Sequence, residues 1–255
     1  MYLTAPPLAA LPGIHHAFFS RGEGESGGIY RGLNCGFGSA DDAETVRANR
    51  ARAMAALGLP AQALATPHQV HSARALIART PADIAGQQVD AVVTDRPGLP
   101  VGVLTADCAP VLLADPEAGV VAAAHAGWRG ARFGVVEAAL AAMAGLGASR
   151  RRTVAAIGPT IAAASYEVGP EFPAHFLSER AANARFFHRP AGAARAHFDL
   201  PGYLAAKLRR LEVEQVFDLA ADTVTDAGRF FSYRRSVLNR EPDYGRLLSV
   251  IALAG

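Results

Sequence analysis

A continuous apolar run that ends in a histidine limits what this chain can fold into more than any other feature. Residues 119–124 read Gly-Val-Val-Ala-Ala-Ala, and they lead into His125, Gly127 and Arg129. An apolar run of this kind is typical of a buried strand, and the glycine-containing turn after it is typical of the start of a helix. A metal-binding type of side chain at a strand end, beside a basic helix N-terminus, predicts a small-molecule site in an α/β structure.

Two other segments have the same form. Residues 101–106 form a second apolar run, which ends at Asp107 and Cys108. A third segment supplies two imidazoles, from His68 and His71. One such strand end can arise by chance. Three of them, all carrying side chains that bind metals or protons, predict that these ends meet in one site.

The composition describes a globular protein and excludes several classes of partner. Of 255 residues, 51% are hydrophobic and no linker-like stretch divides the chain, so we expect a single domain over residues 1–255. The net charge is +2 with both signs interspersed, so no nucleic-acid partner is expected. No apolar stretch is long enough to span a bilayer, so we expect no membrane partner. Cys35 and Cys108 make no disulfide framework, which favours a cytoplasmic protein with reduced thiols.

Hydrophobic periodicity predicts a mixture of helices and strands. Cap and stop signals at 41–42 and 58–60 delimit one helix, an alanine-rich helix follows Arg129, and the region 170–215 is expected to be mainly helical. Since the strands at 101–114 leave no room for a crossover helix, part of the sheet must be antiparallel, which favours an α+β, or mixed α/β, layered sandwich. The predicted strands are 16–20, 74–79, 89–94, 101–106, 110–114, 119–124, 153–157, 215–219 and 248–253.

His71, Cys108 and His125 are the candidate metal ligands. They lie far apart in the sequence, unlike the closely spaced cysteine pairs of structural zinc modules. Three ligands from separate elements are typical of a catalytic zinc site, which keeps a fourth position open. Two imidazoles and one thiolate fit Zn²⁺, and copper is possible. His68 is an alternative to His71, although the proline before it indicates a bend.

The same residues allow an interpretation without a metal. Cys108 would then be a nucleophile with His125 or His71 as its base, as in cysteine hydrolases, and Asp107 would orient the imidazole. Taken singly, a strand cysteine is usually a small buried hydrophobe and a histidine is usually a satisfied polar group. Their common position at strand ends favours a site. The residues alone leave the zinc and the hydrolase interpretations open.

Several motifs resemble those of one known family. The three that carry the resemblance are Gln69-Val-His71, Thr105-Ala-Asp-Cys-Ala-Pro110 and His125-Ala-Gly-Trp-Arg-Gly130. Further stretches that agree are Leu33-Asn-Cys-Gly36, Asp41-Asp42, Asn49-Arg50, Ile157-Gly-Pro-Thr-Ile161, Tyr166-Glu-Val-Gly169 and Phe231-Ser-Tyr-Arg-Arg235. In this order, from about Phe18 to the C-terminus, they resemble the multicopper polyphenol oxidoreductase (laccase-type) family. That family includes peptidoglycan editing factors and zinc-dependent purine nucleoside phosphorylases.

The resemblance implies a fold, a metal and an activity. The implied fold is a layered α/β/β/α sandwich, with metal ligands at His71, Cys108 and His125. The implied chemistry is phosphorolysis of adenosine, inosine or methylthioadenosine, with deamination of adenosine at the same site. The expected partners are then a purine nucleoside and phosphate. Copper-dependent phenol oxidation and peptidoglycan-precursor editing are the alternatives, and the absence of His-x-His pairs argues against the clustered sites of a copper oxidase.

Phosphorolysis requires an anion pocket beside the ribose. Arg129, with the backbone amides of the helix that follows it, is the best local candidate. Tyr166 and Phe231 can stack on a base, and Glu167 is a candidate acid/base or partner of a ribose hydroxyl. The predicted substrate and phosphate contacts are Arg129, Arg21, Asn34, Tyr166, Arg234 and Arg235. The predicted catalytic residues are Cys108, His125, Asp107 and Glu167.

Overall fold

The computed structural model describes residues 1–255. Seven α-helices, α1 to α7, are Pro6–Ala9, Ala43–Ala55, Trp128–Phe133, Val135–Gly145, Phe172–Leu177, Leu200–Arg210 and Tyr233–Asn239. Thirteen strands, β1 to β13, are Tyr2–Leu3, Ile14–Phe19, Ala75–Ile77, Ala91–Thr94, Val101–Thr105, Ala109–Asp115, Val120–Ala126, Val154–Ile157, Glu167–Val168, Phe187–His188, Ala196–Phe198, Gln215–Asp218 and Leu247–Leu253. Short 3-10 helices are Gly28–Tyr30, Ala61–Ala63, Pro81–Asp83 and Ala181–Phe186. None of the helices combines the length and the apolar character needed to cross a membrane.

The strands form two large sheets and a small one. The first has four strands in the order β1-β2-β13-β5, all antiparallel. The second has six strands in the order β12-β8-β6-β7-β4-β3, and only its two edge pairs are parallel. The structure therefore contains the predicted antiparallel pairing, but the two strands within 101–114 do not form it with each other. β5 and β6 do not pair with each other, because the chain crosses between them from the first sheet to the second.

The two large sheets pack face to face and carry helices on their outer faces. One group of buried side chains fills the space between the sheets, with Val103 and Ile251 from the first sheet and Leu112 and Val121 from the second. A separate group joins the six-stranded sheet to α4 and α6, and another joins the four-stranded sheet to α2. The order of layers is α/β/β/α, which confirms the predicted mixed α+β sandwich.

Both faces of the six-stranded sheet are covered, and this explains its continuous apolar runs. Side chains along a strand alternate between the two faces. In β7, Val121 and Ala123 point between the sheets, whereas Ala122 and Ala124 belong to the group packed against α4. Every residue of β7 is buried. A strand buried on both faces shows no alternation in hydrophobicity, so the run at 119–124 marks a central strand.

The predicted helix after Asp41-Asp42 is confirmed as α2. Asp42 is its N-cap residue, and its carboxylate accepts a hydrogen bond from the backbone N–H of Thr45 at 2.8 Å. The helix ends at Ala55, and Gly58 then turns the chain at a φ of +68°, a conformation that favours glycine. The cap and stop signals therefore predicted both ends of this helix to within one turn.

The prediction of a mainly helical region over 170–215 is only partly right. α5 and α6 are present, with Pro201 in the first turn of α6. Between them, β10 and β11 pair with each other and with β9. These strands have two or three residues, which is too short for a periodic signal. An aromatic cluster covers this region and consists of Phe172, Phe176, Phe187, Phe198 and Tyr203.

His16 is a buried histidine that makes the stability of the fold depend on pH. It lies in β2 with 5% of its surface exposed, and its Nε2 accepts a hydrogen bond from the backbone N–H of Ala5 at 2.8 Å. Burial lowers the pKa of His16 from 6.5 to about 4, since the charged form would lose its water. Between these two values the folded state binds fewer protons than the unfolded state. Stability therefore falls as the pH falls through this window.

We expect His16 to lower the free energy of unfolding by about 3 kcal/mol as the pH falls from 6.5 to about 4, because one pKa unit corresponds to about 1.4 kcal/mol. Urea unfolding across this window measures the effect. The His16→Gln variant keeps an acceptor but does not titrate, so it should lose this part of the pH dependence. His15→Gln, at the exposed neighbouring position, is the control and should keep it. If the free energy of unfolding depended on pH equally in the native protein and in His16→Gln, the prediction would be contradicted.

Candidate metal site and active-site cleft

His71, Cys108 and His125 come from three separate segments and meet at one end of the six-stranded sheet. Cys108 immediately precedes β6, and His125 lies near the end of β7. In this antiparallel pair Pro110 lies opposite His125, so the register places Cys108 beside the end of β7. His71 lies in the loop that leads into β3. The three predicted segment ends do meet.

The donor atoms of these three side chains form a compact group. Sγ of Cys108 is 3.8 Å from Nε2 of His71, and the candidate ligand atoms of all three residues lie within 4.8 Å of one another. The two imidazole rings are edge to face with centres 4.8 Å apart. His125 is buried and Cys108 half-buried, whereas His71 is exposed, so the group opens to solvent. Two nitrogens and one sulfur at this spacing, with one open side, fit a metal site that keeps a free coordination position.

Asp90, which no motif indicated, holds two of the three candidate ligands. Its carboxylate is fully buried, and Oδ1 accepts hydrogen bonds from Nδ1 of His125 at 2.8 Å and from the backbone N–H of His71 at 3.0 Å. Oδ2 accepts from the backbone N–H of Val70 at 3.2 Å, and from the N–H and hydroxyl of Ser72 at 2.6 and 2.7 Å. Because Nδ1 of His125 is engaged, Nε2 is the nitrogen left for a metal. A carboxylate behind a ligating histidine is usual in zinc sites.

The backbone around the group has two features that the donor set requires. His71 has a φ of +59°, a left-handed conformation that is uncommon for a residue with a side chain, and the Asp90 carboxylate holds this turn. Gly127 lies against the other two segments. A Cβ atom there would be 2.9 Å from Sγ of Cys108 and 2.9 Å from Cδ2 of His71. Only glycine leaves the donor atoms their present space.

Electrostatic interactions favour the thiolate form of Cys108. Burial alone would raise the pKa of Cys108, but His125 and His71 lower that pKa below its ordinary value. Burial alone would lower the pKa of His125, but Cys108 and Asp90 raise it. Burial would raise the pKa of Asp90, and hydrogen bonds from His125 and Ser72 lower it to about 2. A thiolate either binds a metal or attacks an electrophile, so the group suits both interpretations that the sequence leaves open.

Asp107 does not orient an imidazole, and this part of the hydrolase prediction was wrong. Its Oδ1 accepts a hydrogen bond from the hydroxyl of Thr223 at 2.6 Å, and its Oδ2 accepts from the backbone N–H of Arg234 at 2.5 Å. Asp90 is the orienting carboxylate instead. Asp107 lies where the chain crosses between the sheets, with a φ of +87°, and ties the segment that carries Cys108 to the first turn of α7. A direct catalytic role for it stays a prediction.

A cleft of about 610 Å³ opens over the metal-ligand group. Its volume is typical of a small-molecule site, and all three candidate ligands line it. No aspartate or glutamate lines it, so the positive charges of its two arginines are not balanced by a carboxylate of the lining. Its other polar and aromatic lining residues are Phe37, Arg50, Thr66, His68, Gln69, Thr105, Tyr244 and Arg246.

The loop that carries His71 is fixed at both ends. The side-chain amide of Gln69 donates to the carbonyl of Leu104 at 2.7 Å and accepts from its N–H at 2.8 Å, so it pairs with the edge of β5 as a strand would. Asp90 holds the other end of the loop. His68 is exposed and lines the cleft, but it is not part of the donor group. Of the two histidines considered for the site, the loop therefore presents His71 to Cys108.

Tyr166 and Arg234 form a second group near Cys108, outside the cleft lining. Burial raises the pKa of Tyr166. The guanidinium of Arg234 is 5.5 Å from the centre of the Tyr166 ring and donates to the carbonyl of Glu167 at 2.9 Å. Contact of Tyr166 and Arg234 with a substrate stays a prediction.

Arg129 and Glu167 are more exposed than the chemistry predicted for them suggests. The Arg129 guanidinium lies 4.7 Å from the centre of the Trp128 ring, on the exposed side of α3. The Glu167 carboxylate pairs with Arg195 at 3.3 Å, and 46% of its side chain is exposed. Neither residue lines the cleft. Their roles in phosphate binding and acid/base chemistry stay predictions.

Arg21, Asn34 and Arg235 use their side chains within the protein. Arg21 donates to the carbonyl of Arg31 at 3.0 and 3.1 Å, and its guanidinium lies 4.4 Å from the centre of the Phe231 ring. Asn34 is fully buried, and both atoms of its amide are hydrogen-bonded inside the chain. Arg235 donates to three backbone carbonyls between residues 223 and 230. Their predicted contacts with substrate therefore compete with contacts already made.

The comparison with known proteins agrees with this geometry. A model of the family described as multi-copper polyphenol oxidoreductase laccase matches residues 15–254. The chain belongs to this family. The match confirms the resemblance carried by the motifs around the three candidate ligands.

Similar proteins and solved structures cover nearly the whole chain. The purine nucleoside phosphorylase of Deinococcus radiodurans is 41% identical over 255 residues, which are 98% of this chain and 95% of that protein. A purine nucleoside phosphorylase of Mycobacterium bovis is 39% identical over 222 residues, 87% of each protein. A Neisseria meningitidis crystal structure from family DUF152 has a TM-score of 0.87 at 32% identity and covers 100% of this chain and 99% of that one. YlmD from Geobacillus stearothermophilus has a TM-score of 0.88 at 26% identity, covering 100% and 96%.

Three residues of this laccase-type site carry weak signals in the sequence. Asp90 is an acid inside the apolar run 89–94, and a charge in a buried strand needs a partner, which is a usable signal. Arg50 lies in the motif stretch Asn49-Arg50, but the other arginines of its helix are solvent-exposed, and the sequence does not indicate that its side chain faces a site. Thr105 begins the motif Thr105-Ala-Asp-Cys-Ala-Pro110, but the motif does not indicate that its hydroxyl faces a site. Their roles depend on which distant segments they meet.

Proposed function

We propose that this protein is a zinc-dependent purine nucleoside phosphorylase that acts on adenosine, inosine and methylthioadenosine. The observation that carries the proposal is the group of His71, Cys108 and His125 in the wall of a cationic cleft without carboxylates. The 41% identity over 98% of the chain to a protein named purine nucleoside phosphorylase supports the same activity.

The donor set fits zinc. Nε2 of His125, Sγ of Cys108 and Nε2 of His71 are the atoms that would hold the ion, and the exposed side of His71 leaves one position open. When bound, the ion would supply Lewis-acid polarisation of an oxygen atom. Asp90 fixes the tautomer and the orientation of His125, and Gly127 keeps the space beside the donors free.

Phosphorolysis exchanges one bond at C1′ of the ribose for another. A phosphate oxygen forms a bond to C1′ while the bond from C1′ to the purine nitrogen breaks, and the purine leaves with the electron pair and takes up a proton. The cleft supports this exchange in two ways. Its two arginines would bind the anion, and the aromatic rings of Phe37 and Tyr244 offer surfaces for a base. Phe37 is 49% exposed, which a stacked base would reduce.

We also propose that the same site deaminates adenosine. It adds water at C6 of adenine and releases ammonia, so it needs no phosphate. The two reactions would share the cleft and differ in which end of the nucleoside faces the ligand group.

A second function is favoured by one specific observation. Cys108, His125 and Asp90 form the thiol, imidazole and carboxylate of a cysteine hydrolase, and Nδ1 of His125 lies 2.8 Å from Oδ1 of Asp90. A metal-free hydrolase that edits a peptidoglycan precursor would use Cys108 as nucleophile and His125 as base. This interpretation predicts activity in the presence of a chelator, which the zinc enzyme would lose.

The experiment supplies each nucleoside to the zinc-loaded protein, with and without inorganic phosphate. We expect free base and ribose 1-phosphate only when phosphate is present, and ammonia from adenosine in both cases. Chelator-treated protein is the control and should be inactive in both assays. Base release that does not depend on phosphate would mean hydrolysis. Failure to release base from every purine nucleoside would contradict the proposal and favour the editing hydrolase.

A further inference from the structure

Arg50 is an arginine without an acidic partner that faces the cleft. Its Nε donates to the carbonyl of Cys35 at 2.9 Å, and its Nη2 donates to the hydroxyl of Thr66 at 2.9 Å. These bonds fix the guanidinium, and Nη1 has no partner within the protein. The ring of Phe37 lies 4.6 Å from the guanidinium carbon. Arg50 therefore brings a fixed and uncompensated positive charge to the cleft wall.

Arg246 comes from the other end of the chain and reaches the same cleft. Its stem packs on the backbone of Gly36, where a Cβ atom would be 2.6 Å from Cδ of Arg246. Its Nη1 donates to the carbonyl of Tyr244 at 3.2 Å, and its closest carboxylate oxygen, on Asp243, is 3.8 Å away. The segment 35–36 thus positions both arginines, one through a carbonyl and one through a glycine.

Thr105 supplies the observation that points to a ligand. It lines the cleft with only 3% of its surface exposed, and its hydroxyl is a buried polar atom without any hydrogen-bond partner in the protein. Buried hydroxyls in native proteins are almost always paired, since leaving one unpaired is unfavourable. An acceptor atom of a bound molecule would pair it.

We propose that Arg50, Arg246 and Thr105 form an oxyanion subsite that binds a phosphate group in the cleft. The two guanidinium groups supply positive charge and donors in a fixed plane, and the Thr105 hydroxyl supplies a further donor. Asp243, 3.8 Å from Arg246, is the only carboxylate within ion-pair distance of either guanidinium, and it does not line the cleft. The identity of the anion rests on the proposed function. If that function is right, the subsite binds inorganic phosphate, the second substrate of phosphorolysis. The phosphate group of a nucleoside monophosphate has the same chemistry and is the other source.

This assignment differs from the one predicted for Arg129. Arg129 is exposed, lies over Trp128 and does not line the cleft. An exposed arginine is free to move and is surrounded by water, so it gains less from an anion than a fixed arginine in a partly closed cleft. Arg50 and Arg246 are held from several sides before the anion arrives.

The test is calorimetric titration of the zinc-loaded protein with inorganic phosphate. Thr105→Val removes the hydroxyl and keeps the shape, and we expect it to weaken phosphate binding about tenfold, as expected for one hydrogen bond to a charged group. Its melting temperature should stay the same or rise, because the hydroxyl has no partner to lose. Thr105→Ser keeps the hydroxyl and should bind phosphate as the native protein does. Arg50→Gln should weaken binding at least tenfold, while Arg47→Gln, an exposed arginine on the same helix, should not.

The outcomes separate the subsite from the proposed function. Adenosine monophosphate is titrated in parallel. If the nucleotide binds, the Arg50 and Thr105 variants weaken its binding, and inorganic phosphate does not bind, the subsite is supported and the nucleotide supplies its phosphate group. Anion binding that depends on these residues, in a protein that releases no base, supports the subsite and contradicts the proposed function. Phosphorolysis with an unchanged KM for phosphate in Thr105→Val and Arg50→Gln overturns the subsite and leaves the function standing. Binding that depends on Arg129 alone also overturns it.

Discussion

Replacement of Cys108 by alanine is expected to remove metal binding and turnover together while leaving the fold in place. Cys108 supplies the only thiolate of the three candidate ligands. Removal of a partner behind a ligand typically lowers metal affinity 10- to 100-fold, so removal of a ligand should have a larger effect. Cys108 is half-buried and belongs to none of the main apolar groups, so its loss leaves no core cavity. Elemental analysis after dialysis, circular dichroism and the base-release assay measure the three properties separately.

Cys35 provides the matched control for this variant. It is fully buried among apolar residues under α2, and burial raises the pKa of its thiol to about 12. Cys35→Ala should therefore lower stability by about 1 kcal/mol and leave the bound metal and the activity unchanged. If the Cys35 variant lost its metal and the Cys108 variant kept it, the assignment of the site would be wrong. Full activity of the native protein in chelator would instead favour Cys108 as a nucleophile.

The strands of the six-stranded sheet could be predicted because burial on both faces gives long apolar runs. β4, β6 and β7 each lie close to their predicted ranges. The pairing of these strands could not be predicted from the same signal, because a run of apolar residues does not show which sheet it joins. β5 and β6 illustrate this, since the three residues between them cross from one sheet to the other. Short elements such as β10 and α7 have too few residues for a period to appear.

In the site, likewise, some residues could be predicted from the sequence and others could not. The donor residues could be predicted because each lies at a strand end in a local motif, and the register of β6 against β7 then brings two of them together. The partners of these residues could not, because each depends on a contact between distant segments. Asp90 meets His125 from a different strand, and Arg50 faces the cleft only because α2 packs on the first sheet. Asp107 shows the reverse case, since an acid next to a thiol in sequence turns its carboxylate toward α7.

Replacement of Asp90 by asparagine is expected to weaken metal binding 10- to 100-fold and to lower the free energy of unfolding by about 3 kcal/mol. The carboxylate accepts five hydrogen bonds, from the backbone N–H groups of Val70, His71 and Ser72, the Ser72 hydroxyl and Nδ1 of His125. An asparagine of the same shape has one oxygen for these donors and points its own N–H₂ group at the others. His125 then loses the partner that fixes Nε2 toward the metal, and the His71 turn loses its anchor.

Asp115→Asn is the control that separates the loss of stability from the loss of metal affinity, because Asp115 is a similar carboxylate at the opposite end of β6 from Cys108. It is fully buried and also accepts five hydrogen bonds, including two from Arg152 at 3.2 and 2.9 Å. Asp115→Asn should therefore lower stability by a similar amount, since both changes leave buried donors without a charged acceptor. It should leave metal affinity unchanged. Competition for zinc with a chromophoric chelator, beside urea unfolding of both variants, measures the difference. Equal metal affinity in the two variants would mean that Asp90 supports the fold alone, and that His125 is oriented by the packing of β7.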